Sequence, residues 1–171
     1  MRVSLGLLLP LSAVLSGCVF AIPYERPEDP NSPTIFVDVP DRGGFLYYKN
    51  GEDCSGSVEL PGEFIQMGDL VKPFPVPGDK MLAIALLDRY VKSEDNETYY
   101  VTCTALTSFT PKDNMEYTVQ YLSAGQSCGA RVYTRAKGSD DVYDELKSAL
   151  AREPVEAMTA MGAACLPVNT R

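Results

Sequence analysis

The sequence contains no histidine and no tryptophan among its 171 residues. The absence of histidine excludes Ser-His-Asp and Cys-His catalysis, histidine-ligated zinc and the usual general base near neutral pH. The chain also lacks a C-x-x-C spacing, a Gly-rich phosphate loop and a G-x-S-x-G turn. We therefore predict that the protein is not an enzyme, that it needs no cofactor and that it has no catalytic or metal-binding residues. A hydrolase that uses Lys or paired carboxylates is the alternative that this composition leaves open.

Basic residues are outnumbered by acidic ones, 15 against 23, and the formal net charge is −8. A surface of this charge repels phosphate backbones, so we expect no nucleic acid partner. The carboxylates form no D-x-D-x-D-G loop, and they predict a solvated surface rather than a calcium site. The hydrophobic share of 45% is typical of a globular chain with one domain and tails.

The N-terminal stretch "MRVSLGLLLPLSAVLSG" has the order of a signal peptide. Arg2 supplies a basic start, an apolar run follows as far as Leu15, and two small residues end it. The run is interrupted by Pro10 and is shorter than the roughly 20 apolar residues that a membrane-spanning helix needs. We therefore predict a signal peptide over residues 1–17.

The four residues Leu15-Ser16-Gly17-Cys18 resemble the bacterial lipobox. The resemblance implies that the Cys18 sulfur takes a diacylglyceryl group, that cleavage occurs before Cys18, and that the new amine is acylated, typically with palmitate. Each buried CH₂ of such chains contributes about 0.8 kcal/mol to membrane anchoring. Val19 follows in place of Asp, which in lipoproteins of enteric bacteria favours the outer membrane, here facing the periplasm. The alternative is an ordinary signal peptide cut after Ala21, with Cys18 discarded.

Residues 18–33 are rich in proline, with prolines at 23, 27, 30 and 33 and polar residues between them. This spacing disfavours helix and central strand and favours an extended, semi-rigid chain. We predict a lipidated tether over residues 18–33. The alternative is a proline-rich edge segment that packs on the domain.

Residues 34–171 are predicted to form a single, mainly β domain. Segments such as "TIFVDV", "KMLAIALL", "ETYYVTCTALTSFTP" and "MEYTVQYL" are apolar or alternate with a period of two, and Gly, Pro, Asn and Asp clusters separate them. In the last of these segments the inward residues would be Met115, Tyr117, Val119 and Tyr121. We expect about seven strands in an antiparallel β-sandwich or barrel-like fold.

The C-terminal part predicts one or two helices within residues 139–165. Ser139 is a candidate N-cap, and Val142, Leu146 and Leu150 lie four residues apart, on one face of a helix. Pro154 would open a second short helix at its first turn.

Four of the five cysteines remain once Cys18 is assigned to lipid. Export leads to an oxidising compartment in which disulfides persist, and four cysteines allow three connectivities. We prefer Cys103–Cys128, because both lie on strand candidates on either side of "MEYTVQYL", and this leaves Cys54–Cys165. The alternative, a thiol site, has no histidine to activate it.

The segment from Cys103 to Cys128 also resembles one in small bacterial envelope lipoproteins of unassigned function. The matching features are the two cysteines, Phe109-Thr110-Pro111, and Tyr117 with Val119. The resemblance implies a β-rich lipoprotein domain and carries no catalytic residue.

These features together predict a non-enzymatic envelope lipoprotein with a structural or protein-binding accessory role. Its partners would be the membrane, through lipid on Cys18, and another envelope protein. The alternative is a small-ligand or glycan-binding lipoprotein that uses a tyrosine-rich sheet face. The adjacent pairs Tyr47-Tyr48 and Tyr99-Tyr100 should each expose one ring, because neighbouring residues of a strand face opposite ways.

Overall fold

The computed structural model describes residues 22–40, 43–61, 72–94, 97–124, 127–159 and 162–167. These residues form strands and turns, and no helix occurs among them, so none there is long and apolar enough to cross a membrane. The predicted mainly β class is confirmed. The predicted signal peptide and Cys18 lie outside the described residues.

The described residues contain twelve strands in two sheets. Their bounds are β1 Ile22–Pro23, β2 Thr34–Asp38, β3 Gly43–Asn50, β4 Ser55–Glu59, β5 Phe74–Pro75, β6 Leu82–Glu94, β7 Glu97–Phe109, β8 Met115–Ala124, β9 Ser127–Ala136, β10 Asp144–Glu145, β11 Leu150–Thr159 and β12 Gly162–Pro167. Sheet A has seven strands in the order β1-β4-β3-β6-β7-β11-β12, and sheet B has five in the order β10-β9-β8-β2-β5.

The predicted antiparallel arrangement is only partly right, because two pairings are parallel. Strand β1 runs parallel to β4, and β2 runs parallel to β8 from Thr34 beside Glu116 to Asp38 beside Gln120. Strands β2 and β8 are far apart in sequence, so no tight turn fixes their relative direction. The expected count of about seven strands also missed the two-residue strands β1, β5 and β10.

The two sheets share one hydrophobic core, as in a β-sandwich. Sheet B contributes Ile35, Val37, Tyr117, Val119 and Val132, and sheet A contributes Tyr47, Val58, Leu82, Ile84, Leu86, Ala105 and Phe109. Met115 and Tyr121 pack against this core, so the inward face predicted for β8 is confirmed. The period of two places every second side chain of β8 between the sheets.

A second buried cluster lies on the other face of sheet A. Its members are Tyr48, Cys54, Ala83, Ala85, Leu106 and Cys165. The sheet curls so that β12 reaches the chain just before β4, where the Cys165 N–H donates to the Asp53 carbonyl at 3.0 Å. Both faces of β6 are therefore buried over residues 82–86, which explains why this stretch is continuously apolar rather than alternating.

A series of hydrogen-bonded polar groups crosses this second cluster. The Arg152 Nε donates to the Ser108 Oγ at 3.0 Å, and the Ser108 Oγ donates to the Gly51 carbonyl at 2.7 Å. Both side chains are buried. The hydrogen bonds offset part of the cost of removing these groups from water, and they fix β11 against β7 and the turn after β3.

The predicted helices within residues 139–165 are wrong, because this part of the chain forms β10, β11 and β12. Leu150 to Arg152 pair with Ser108 to Leu106 at the side of β7, so backbone pairing with an existing sheet replaces a helix. The spacing of apolar residues was misleading: Leu146 packs on the core, but Val142 is 87% exposed.

The described part of the predicted tether, residues 22–33, packs along the domain. The Tyr24 N–H donates to the Glu59 carbonyl at 3.2 Å, and the Tyr24 hydroxyl donates to the Pro75 carbonyl at 2.6 Å. Further along, the Lys137 ammonium donates to the carbonyl of Pro30 at 2.9 Å. For residues 22–33 the structure thus has the packed edge segment rather than an extended tether, while residues 18–21 lie outside the described part.

The part of the chain that the structure describes has two disulfides, Cys54–Cys165 and Cys103–Cys128, with Cα–Cα distances of 5.4 and 6.2 Å. They are the two pairs that the sequence favoured over a thiol site. The first joins the two margins of curled sheet A, and the second joins β7 of sheet A to β9 of sheet B. Each stabilises the fold by roughly 3–5 kcal/mol on the chain-entropy model.

The buried hydroxyl of Tyr48 generates a stability prediction. It has no hydrogen-bond partner among the described residues, and burial raises the pKa of Tyr48 to about 12. Tyr48→Phe should increase the free energy of unfolding by about 1 kcal/mol, because it removes an unsatisfied polar group. Urea denaturation measures this change.

The matched control is Tyr117→Phe. The Tyr117 hydroxyl accepts a hydrogen bond from the Lys112 N–H at 2.9 Å, so its loss should decrease the free energy of unfolding by about 1 kcal/mol. A Tyr48→Phe variant as destabilised as Tyr117→Phe would contradict this account of the second cluster.

Candidate functional site

The outer face of sheet B carries rows of polar and aromatic side chains. Inward residues alternate with outward ones on β2, β8 and β9, and the outward residues form the face. The strand register places Thr34 beside Glu116 and Glu116 beside Arg135. The next row places Phe36 beside Thr118. A charged row and a row with an aromatic ring therefore run side by side across three strands.

Tyr143 folds back onto this face from the chain after β9. The turn contains Gly138 at φ +73°, a backbone conformation that glycine adopts without strain, and the Ser139 Oγ accepts a hydrogen bond from the Asp141 N–H at 3.0 Å. Ser139 thus makes the capping type of hydrogen bond predicted for it, but within a turn and not at a helix start. The turn brings the Tyr143 ring over the charged row.

Arg135, Glu116 and Tyr143 form a connected set. The Arg135 Nε donates to Glu116 Oε2 at 2.9 Å, and the Tyr143 hydroxyl donates to the same oxygen at 3.4 Å. The Arg135 Cζ lies 4.3 Å from the centroid of the Tyr143 ring. The hydrogen bond with Glu116 raises the pKa of Arg135, so the guanidinium is charged at any physiological pH. The three side chains hold one another in a fixed geometry.

A groove of about 490 Å³ opens beside this set. We call it the sheet B groove, and it is lined by Thr34, Phe36, Pro73, Glu116, Tyr117, Thr118, Arg135 and Tyr143. Its volume is at the lower end of the range for small-ligand sites. Aromatic rings and a carboxylate–guanidinium pair can together contact a ligand that has both apolar C–H faces and hydroxyl groups.

The far end of the β6–β7 hairpin is a second candidate surface. We call the end at Leu82 and Phe109 the base, and the end at Glu94 and Glu97 the tip. Near the tip, Val91 lies directly opposite Tyr100, and these side chains are 48% and 83% exposed. On the opposite face of the hairpin, the Lys92 Nζ lies 5.8 Å from the centroid of the Tyr99 ring.

The hairpin is braced against the neighbouring hairpin β8–β9. Cys103 on β7 is disulfide-bonded to Cys128 on β9, and the Tyr121 hydroxyl donates to Asp88 Oδ2 at 3.2 Å. Burial and the nearby Asp88 carboxylate raise the pKa of Tyr121, so it remains a neutral donor. The two ties lie between the base and the tip, and they restrict motion of the tip relative to the core.

The structure places the predicted tyrosine pairs differently from expectation. Tyr47 and Tyr48 are both buried, because the curl of sheet A covers the face that was expected to be exposed. Tyr99 and Tyr100 are both exposed, because the tip extends beyond the core. The prediction of one exposed ring in each pair is therefore wrong for both pairs.

The sequence patterns did not predict the residues of the sheet B groove. A signal for Glu116 and Thr118 exists in the alternation of "MEYTVQYL", whose second face is polar. No local pattern indicates that Tyr143 folds over Arg135, because their contact depends on the turn at 137–141 and on the pairing of β8 with β9.

Within the described ranges, no group of three or more Cys, Asp or Glu residues could hold a metal ion. Comparisons of the chain with protein-family models, with curated proteins and with solved structures found no match.

Proposed function

We propose that this chain is a lipid-anchored protein of the bacterial cell envelope with an accessory, protein-binding role and no enzymatic activity. The lipobox-like residues 15–18 support the anchor, and Val19 after Cys18 supports the outer membrane, on the side that faces the periplasm. The observation that carries the binding role is the exposed pair of Val91 and Tyr100 near the hairpin tip.

An exposed tyrosine on a braced hairpin has the properties of an interface anchor. Tyrosine is enriched in protein interfaces because its large ring buries apolar area while its hydroxyl forms a hydrogen bond. The Cys103–Cys128 disulfide and the Tyr121–Asp88 hydrogen bond already restrict the hairpin, so binding at the tip costs less conformational entropy. A larger part of the free energy of the contacts at the tip then appears as binding affinity.

Removal of the anchoring cysteine tests the membrane part of the proposal. Cys18→Ser cannot form the thioether, so the variant should lose its lipid mass and move from the membrane fraction to the soluble fraction. Mass spectrometry and membrane fractionation measure these two changes. A variant that stays with membranes to the same extent as the parent would rule out this anchor.

Site-specific photo-crosslinking tests the protein-binding part. A photoreactive amino acid in place of Tyr100 should give a discrete adduct in intact cells, because the ring would contact the partner. The same amino acid in place of Val142 is the matched control, since Val142 is 87% exposed but far from the tip in sequence and lies on another segment. Equal labelling from both positions, or none from Tyr100, would refute a binding surface at the tip.

Glycan binding in the sheet B groove is a second candidate function. It is favoured by the Tyr143 ring, the Phe36 ring and the Glu116–Arg135 ion pair around one groove. Sugars present apolar C–H faces and hydroxyl groups, which match stacked rings and charged hydrogen-bonding groups respectively.

A thermal-shift screen with oligosaccharides of the bacterial envelope tests this candidate. A sugar at 100 times its Kd should stabilise the protein by about 2.7 kcal/mol, and Tyr143→Ala should abolish the shift in melting temperature. Tyr100→Ala is the control and should keep it, because Tyr100 is on the hairpin tip and not in the groove. The candidate fails if no sugar shifts the melting temperature, or if Tyr143→Ala leaves the shift intact.

A further inference from the structure

The strand directions of sheet A determine from which end the N-terminal chain arrives. Strand β3 runs from the tip side to the base, since Gly43 lies beside Asp88 and Tyr48 beside Ala83. Strand β4 is antiparallel to β3 and therefore runs from base to tip. Strand β1 is parallel to β4. The N-terminal end of β1, at Ile22, consequently points towards the base side of the domain.

The start of β1 is fixed to the domain body. Ile22 and Pro23 pair with Val58 and Glu59, and the next residue, Tyr24, holds two hydrogen bonds to Glu59 and Pro75. The Tyr24 ring also packs edge-on against Phe74, with ring centroids 6.4 Å apart. The position of Ile22 relative to both sheets is therefore set by backbone pairing, side-chain hydrogen bonding and core packing together.

The chain between the proposed lipid site and this fixed point is short. Residues 19–21 lie between Cys18 and Ile22, so the two Cα atoms are four steps apart and at most about 14 Å when the chain is fully extended. Ile22 lies beside Val58, Val58 lies beside Tyr47, and Tyr47 lies beside Ile84. Ile22 is therefore at the level of Ile84 on β6. Val91 and Tyr100 lie seven positions farther towards the tip, which is about 23 Å along the strand.

From these constraints we infer that the anchored protein stands with the base of the domain against the bilayer and with the hairpin tip directed away from it. The inference rests on the proposed lipid at Cys18 and specifies where the proposed binding surface is presented. The lipid holds the bilayer within about 14 Å of Ile22 on the base side. The Val91–Tyr100 pair therefore faces the aqueous space and a partner that approaches from there.

The covalent connection, and not surface charge, sets this orientation. The exposed residues at the base include Lys80 and Lys112, but also Asp79 and Asp113 directly next to them. Such neighbouring opposite charges give little net attraction to anionic headgroups. Strong salt dependence of the orientation is therefore not expected.

Energy transfer from the protein to the bilayer surface tests the orientation. The full lipidated protein is reconstituted into vesicles of phosphatidylethanolamine and phosphatidylglycerol that contain a headgroup-labelled acceptor lipid. A donor fluorophore is placed through an unnatural amino acid at one of four exposed positions: Lys80 and Asp113 at the base, or Ser93 and Tyr100 near the tip. Two positions at each end guard against a variant that fails to fold.

Transfer should be high from both base positions and at least several-fold lower from both tip positions. Equal transfer from base and tip, or higher transfer from the tip, would overturn the orientation. Each donor is also measured in a Cys18→Ser background, where transfer should be absent at all four positions. If the parent carries no lipid mass, or if the Cys18→Ser form still shows transfer, the proposed anchor is refuted. The inferred orientation is then refuted as well, because it rests on that anchor. If the parent is lipidated but its tip is close to the bilayer, only the orientation is refuted.

Discussion

The pairing of β6 with β7 forms the middle of sheet A and carries a buried cluster on each of its faces. It runs without interruption from Leu82 beside Phe109 at the base to Glu94 beside Glu97 at the tip. Over the base half, one face of these strands packs on the core shared with sheet B, and the other face packs on the cluster inside the curl of sheet A. Strands β3 and β11 then align on its two sides. The hairpin tip takes its position from this ladder, whereas the sheet B groove is positioned by the pairings of β2, β8 and β9.

The two disulfides connect parts of the fold that the pairing of β6 with β7 does not hold together. Cys54–Cys165 joins the margins of sheet A, which are separated by 111 residues in sequence, and it keeps β12 over the second cluster. Cys103–Cys128 ties the hairpin to β9 beyond the end of the core. Cross-links of this kind reduce the conformational freedom of the unfolded chain. They also limit fraying of the native strands, so the hairpin tip keeps one conformation in which a partner can bind it.

Local patterns in the sequence were sufficient for strands such as β6, β7 and β8 but not for the C-terminal strands or for the assembly of the sheets. The alternation of "MEYTVQYL" correctly predicted that Tyr117 and Val119 are inward, because one buried face is enough to fix a period of two. The spacing of Val142, Leu146 and Leu150 predicted a helix wrongly, because pairing with β7 outweighs an i, i+4 repeat. The burial of Tyr48 arises from the curl of sheet A, which no short window of sequence contains. The contact of Tyr143 with Arg135 is local in sequence, but it depends on the conformation of the turn at 137–141 and not on a periodic pattern. The cysteines were the exception, since an even set of cysteines in an oxidising compartment has few possible pairings.

Amide hydrogen exchange measures whether the β6–β7 hairpin is one continuous, braced element from core to tip. In the intact protein, the amides of residues 97–103 that donate to β6 should exchange slowly, because the ladder and the Cys103–Cys128 disulfide hold them. A Cys103→Ser/Cys128→Ser variant should lose this protection in residues 97–103 while residues 82–86, which both clusters bury, keep theirs. Rapid exchange of these paired amides in the intact, oxidised protein would show that the hairpin is not braced as far as its tip.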